Sequence, residues 1–134
     1  MVTASETKAT CGLECLYRVE DEIASAITHG IGLVLSIAGL CVLVTLAALY
    51  GTVWHIVGCS IYGGSLTILY GASTTYHCAR TPRARSILRV VDHVCIFLLI
   101  AGTYTPFTLT TLRGTWGWSL LIAVWTCAVI GIIY

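Results

Sequence analysis

Charge is what this 134-residue sequence lacks. Asp, Glu, Lys and Arg together make up 10% of it, where a soluble domain of ordinary composition carries about 25%. Between Glu22 and Arg80 there is not one of them, an uncharged run of 57 residues. The net charge of +1 says almost nothing about partners, but that gap excludes a soluble enzyme and a nucleic-acid binder alike. The alternating dyad pattern of porin strands is also missing, which excludes a membrane β-barrel. No internal repeat is visible.

What is there is apolar: 57% of residues are hydrophobic and the mean hydropathy is +0.91. A helix needs about 20 apolar residues to cross a hydrocarbon core of roughly 30 Å. Four stretches meet that length, at about residues 27–49, 53–76, 94–112 and 116–134. The expected fold class is therefore an all-α integral membrane protein. Residues 1–22 form a polar, acidic leader carrying Glu6, Glu14, Glu20, Asp21 and Glu22. It is expected to be loosely ordered, with a short interfacial helix at residues 16–26, and residues 23–134 form the transmembrane domain. An acidic leader before a long apolar run is not a secretory signal.

The basic residues set an orientation. Lys8 and Arg18 precede span one, and Arg80, Arg83, Arg85 and Arg89 lie between spans two and three. The other side has Arg113 alone. The N-terminus and residues 80–89 are therefore expected in the cytoplasm. The four arginines of residues 80–89 serve either as topology determinants or as contacts for anionic headgroups. Trp54, Trp116, Trp118 and Tyr50 fall near the outer ends of spans, as interface anchors do. Glycines scattered through the spans fit close helix packing in lipid. Pro106, inside span three, removes one backbone donor and is expected to kink the helix.

The seven cysteines are mostly in or beside apolar runs, where a cysteine acts as a small hydrophobe. Cys11 and Cys15 have metal-like spacing but no second pair nearby. An odd total after a cytoplasmic leader argues against a disulfide framework.

Ionisable residues at membrane depth point to function by default. The candidates are His29, His55, His77, Asp92 and His93. By the predicted topology all but His55 fall in one cytoplasmic-side layer about 10 Å thick, and three separate helices deliver them there. Each also has an ordinary reading. His55 is an interfacial histidine beside Trp54. Asp92 could pair with Arg89 on the same helix face. His29 could bond a backbone carbonyl, and His77 could be an interface residue. Ser73 and His77, four residues apart, share one face, as do Glu22 and His29 seven apart if that helix is continuous. Imidazole with a nearby carboxylate suits a hydrolytic metal site. A catalytic zinc nevertheless takes three protein ligands, and the sequence has no H-x-x-x-H pair.

Four motifs go further: Glu22-Ile-Ala-Ser-Ala-Ile-Thr-His29, Ser73-Thr-Thr-Tyr-His77, Asp92-His93 followed by Ala101-Gly-Thr-Tyr-Thr-Pro106, and Gly114-Thr-Trp-Gly-Trp118. Together they resemble the bacterial hemolysin III branch of the progestin and adipoQ receptor family, over about residues 17–134. The resemblance implies a seven-helix bundle with a cytoplasmic N-terminus in a bacterial-type inner membrane. It also implies kinship with membrane ceramidases, zinc-dependent hydrolases of lipid amides or related bonds. Carried over, His77 is a zinc ligand, Asp92 the water-orienting carboxylate and candidate general base, and Ser73 a group supporting them. Glu22, Thr28 and His29 match the first motif, but Ser25 stands where asparagine is usual. The two remaining zinc ligands belong to a C-terminal H-x-x-x-H that this sequence does not contain. Four of the expected seven spans are present, and span four stops at Tyr134 with no polar residue after it. The chain therefore reads as a C-terminally truncated member, expected to bind zinc weakly or not at all. Its partners are membrane lipids, one of them a substrate, and nucleic acid is not among them. Two other functions stay open: a pore-forming cytolysin, and a non-catalytic receptor or membrane-homeostasis protein.

Overall fold

The computed structural model describes residues 4–134, with side chains from residue 20 onward. Four helices follow one another: α1 Ala4–Tyr50, α2 Val53–Cys78, α3 Pro82–Thr110 and α4 Thr115–Ile133. Each is long and apolar enough to cross a membrane, the qualifying part of α1 being Glu20–Tyr50. All the described secondary structure is helical, as expected.

Two boundaries differ from the sequence reading. Residues 16–26 are not a separate interfacial helix, because α1 is unbroken from Ala4. Apolarity marks where lipid begins, whereas a helix continues as long as its backbone bonds do. The second difference is larger: α3 starts at Pro82, twelve residues before the apolar run that predicted it. Thr81 caps it, its hydroxyl accepting from the Ala84 N–H, and Pro82 occupies the first turn, where a missing N–H costs nothing. Arg83, Arg85 and Arg89 therefore ride on a helix, and the true connection is only residues 79–81. Pro106 does not end α3, which runs on to Thr110.

The connections are short, so consecutive helices lie antiparallel. At the backbone, α1 packs on α2, α2 on α3 and α3 on α4, and among the described residues no other pair packs. The result is an open row of helices. Its interior holds mostly small residues: Ala47, Cys95, Ala101 and Ala128 are buried with the larger Leu109, alongside Ser36, Ser65, Ser73, Thr105 and Thr108. Large aliphatic side chains such as Val34, Leu35, Ile68 and Ile122 point outward, which suits a lipid surround. Where no hydrophobic effect separates helix from solvent, close backbone approach supplies the attraction. At Gly58 an added Cβ would lie 2.7 Å from Pro106 Cα, so α2 and α3 meet backbone to backbone there. Apart from Ser73, the buried hydroxyls bond carbonyls of their own helices, among them Ser65 to Tyr62 and Thr105 to Ala101, both at 2.8 Å. Trp125 Nε1–H donates to Thr105 Oγ1 at 3.1 Å and ties α4 to α3.

Side chains reach across the row at both ends. Trp54 of α2 meets Trp118 of α4 edge to face at 5.9 Å, with the Arg113 guanidinium 5.0 Å from the Trp54 ring. At the opposite end an ion pair between Glu22 and Arg85 joins α1 to α3.

Candidate functional site

Glu22 is the hub of a polar cluster at the end of the row that carries Arg80. One carboxylate oxygen pairs with Arg85, and the other lies 3.2 Å from His77 Nδ1. The His77 side chain is 18% exposed and that of Glu22 is 24% exposed. Three helices contribute: α1 gives Glu22, the last turn of α2 gives His77, and the first turn of α3 gives Arg85. A neutral imidazole donates Nδ1–H to the carboxylate, which leaves Nε2 with its lone pair free.

Further into the row, two turns along α1 from Glu22 and one along α2 from His77, His29 Nδ1 and Ser73 Oγ lie 2.5 Å apart. Ser73 is buried, with 4% of its surface exposed. The His29 and His77 rings meet edge to face at 5.4 Å, so the two pairs form one assembly. The helical spacing explains the match. Glu22 and His29, seven apart, face α2 together, and Ser73 and His77, four apart, face α1.

Two neighbours escape sequence reasoning. Tyr76 lies 4.9 Å from the His77 ring, and Arg85 and Arg89 stack over it at 5.5 and 5.9 Å. Arg89 Nε–H also donates to the Tyr76 hydroxyl at 3.3 Å. Arg85 is the more consequential omission, because its tie to Glu22 joins two helices that are not neighbours in the chain. The early start of α3 makes it reachable, and no apolar pattern signals that start.

The other predicted residues are placed as follows. Asp92 sits ten residues into α3, half-buried. It lies seven residues beyond Arg85, as His29 lies seven beyond Glu22, so the paired Glu22 and Arg85 put Asp92 near the depth of His29. Among the described residues it makes no hydrogen bond or ion pair, and Arg89 bonds Tyr76 instead. Thr28 is exposed and returns its hydroxyl to the carbonyls of Ala24 and Ser25. His93 Nδ1–H donates to the Arg89 carbonyl at 2.7 Å and stays outside the cluster. His55, at the far end, takes the Thr52 N–H at 3.2 Å and so caps α2.

The family model for haemolysin-III related proteins matches residues 17–134, which covers all four motifs. This chain belongs to that family. It is 47% identical over 119 residues to a hemolysin-3 homolog of Bacillus subtilis (strain 168), covering 89% of this chain and 56% of the relative. It is 49% identical over 116 residues to hemolysin-3 of Bacillus cereus, covering 87% and 53%. The chain thus spans about half the length of the curated relatives it matches. No solved structure matches it.

Proposed function

We infer that the Glu22–His77 and His29–Ser73 pairs form part of a zinc-dependent hydrolase. It acts on a lipid amide or related acyl bond at the cytoplasmic leaflet of a bacterial inner membrane. The observation that carries this is the carboxylate beside His77 Nδ1. A metal-binding histidine characteristically gives its second ring N–H to a carboxylate, which fixes the tautomer and aims the other nitrogen. Glu22 stands in that position at 3.2 Å.

The fit is that of one ligand. The described residues hold no group of three His, Cys, Asp or Glu side chains able to hold a metal, and catalytic zinc takes three. His77 is therefore assigned one place in a set that this stretch does not complete. A bound zinc would supply Lewis acidity toward an acyl carbonyl and an acidified water. Within this chain, Glu22 orients His77, and Arg85 holds Glu22. Ser73, fixed against His29, is a hydroxyl that can donate to a carbonyl oxygen. Asp92, a carboxylate at membrane depth, is the group assigned to take a proton from the attacking water. The cytoplasmic placement of this end rests on six flanking basic residues against one.

In proteoliposomes carrying this chain completed to the full length of its relatives, Asp92→Ala is expected to lose hydrolysis of a fluorogenic lipid amide by about 100-fold or more while keeping its zinc. Unchanged hydrolysis would remove Asp92 from the mechanism. The relatives' name, hemolysin, supplies a second reading, lysis through a pore. Leakage of an entrapped solute from the same vesicles, independent of Asp92, would favour it.

A further inference from the structure

A cavity of about 540 Å³ opens beside the cluster, where α1 passes the end of α2. That volume is within the about 300–1,000 Å³ of small-molecule sites. Its walls differ in kind. Ala26 and Ile27 of α1 make an apolar side, while Glu22, His77, Arg80 and Arg85 make a polar one. Glu22 and Arg85 cancel one another in charge, which leaves Arg80 in net excess. Arg80 is exposed and lies just past the last turn of α2. Arg85 is held on two sides, by the Glu22 carboxylate and the Tyr76 ring. A guanidinium has five donors, so Arg85 keeps N–H groups free in a fixed orientation. The N-terminus of α3, the positive end of its dipole, falls between the two arginines in the chain.

We propose that this cavity binds the phosphate headgroup of an anionic glycerophospholipid from the surrounding leaflet, its acyl chain lying along Ala26 and Ile27. Charge complementarity selects the headgroup, and the apolar α1 wall selects a lipid over a free anion. The site depends on neither zinc nor hydrolysis, so it stands or falls apart from the enzymatic reading.

The test uses the full chain in nanodiscs of mixed phosphatidylcholine and phosphatidylglycerol, with retained lipid counted by native mass spectrometry. The wild type is expected to retain phosphatidylglycerol over phosphatidylcholine. Arg80→Gln should lower that preference about fivefold, Arg80→Lys should largely keep it, and Arg83→Gln, outside the cavity, should leave it unchanged. Ala26→Phe fills the apolar side without touching a charge and should expel the lipid. Equal losses from Arg80→Gln and Arg83→Gln would reduce the effect to general surface charge and overturn the site. So would lipid retention unaffected by Ala26→Phe, or displacement of the lipid by glycerol phosphate alone.

Discussion

Glu22 carries more of the site than its place at the edge of an acidic leader suggests. It is the last acidic residue before the uncharged run, and it binds Arg85 and His77 at once. The adjoining His29–Ser73 bond makes a claim that can be measured by itself. Interhelical side-chain hydrogen bonds in membranes couple by about 0.6 kcal/mol on average and up to about 1.7 kcal/mol. A double-mutant cycle of His29→Ala and Ser73→Ala, followed by denaturant unfolding in detergent micelles, should give a coupling at the upper end of that range. Strictly additive losses would mean that the bond contributes nothing. These pairs were half legible in the sequence. Spacing within one helix put Glu22 with His29 and Ser73 with His77, since periodicity fixes a face. It does not say which neighbouring face that one meets, so the pairing of Glu22 with Arg85 and the stacking around Tyr76 needed the fold.

Among the helices, glycine settles how closely neighbours approach. Gly58 faces the Pro106 backbone, and Gly102 faces the Ser65 side chain. Gly39 has nothing within 4 Å of an added Cβ. Gly58→Ala should therefore destabilise the protein by about 1–3 kcal/mol through overpacking, because backbone cannot step aside. Gly39→Ala should be neutral or stabilising by up to about 1 kcal/mol, from helix propensity alone. Thermal melts in one detergent check both, and equal behaviour would disprove the close contact. The four spans themselves were readable, since twenty apolar residues can do little else in lipid. Their ends were less so. The twelve extra residues of α3 mix Arg83, Arg85, Arg89, Asp92 and His93 with apolar residues, and what starts that helix is the Thr81 cap and Pro82, not apolarity.

At the scale of the molecule, an open row of four helices gathers the described candidate residues Glu22, His29, Ser73, His77 and Asp92 toward one end and leaves His55 at the other. That end also carries Arg80, Arg83, Arg85 and Arg89. Orientation then decides which compartment the site faces. Cys78 is exposed and closes α2 at this end. In a variant whose only cysteine is Cys78, a membrane-impermeant thiol reagent should label the protein only after cells are permeabilised. Labelling of intact cells would invert the topology. The family was legible from four motifs before any coordinate. The zinc set was not, because only His77 of its expected ligands lies in this chain.

The most direct test of the central claim is lipid-amide hydrolysis in vesicles by this chain completed to the full length of its relatives, followed through chelation, zinc readdition and His77→Ala. Chelation should abolish the activity and zinc restore it when His77 is present, with no recovery in His77→Ala. Glu22→Gln should need about 10–100-fold more zinc for the same recovery. Hydrolysis that survives both chelation and His77→Ala would contradict the claim.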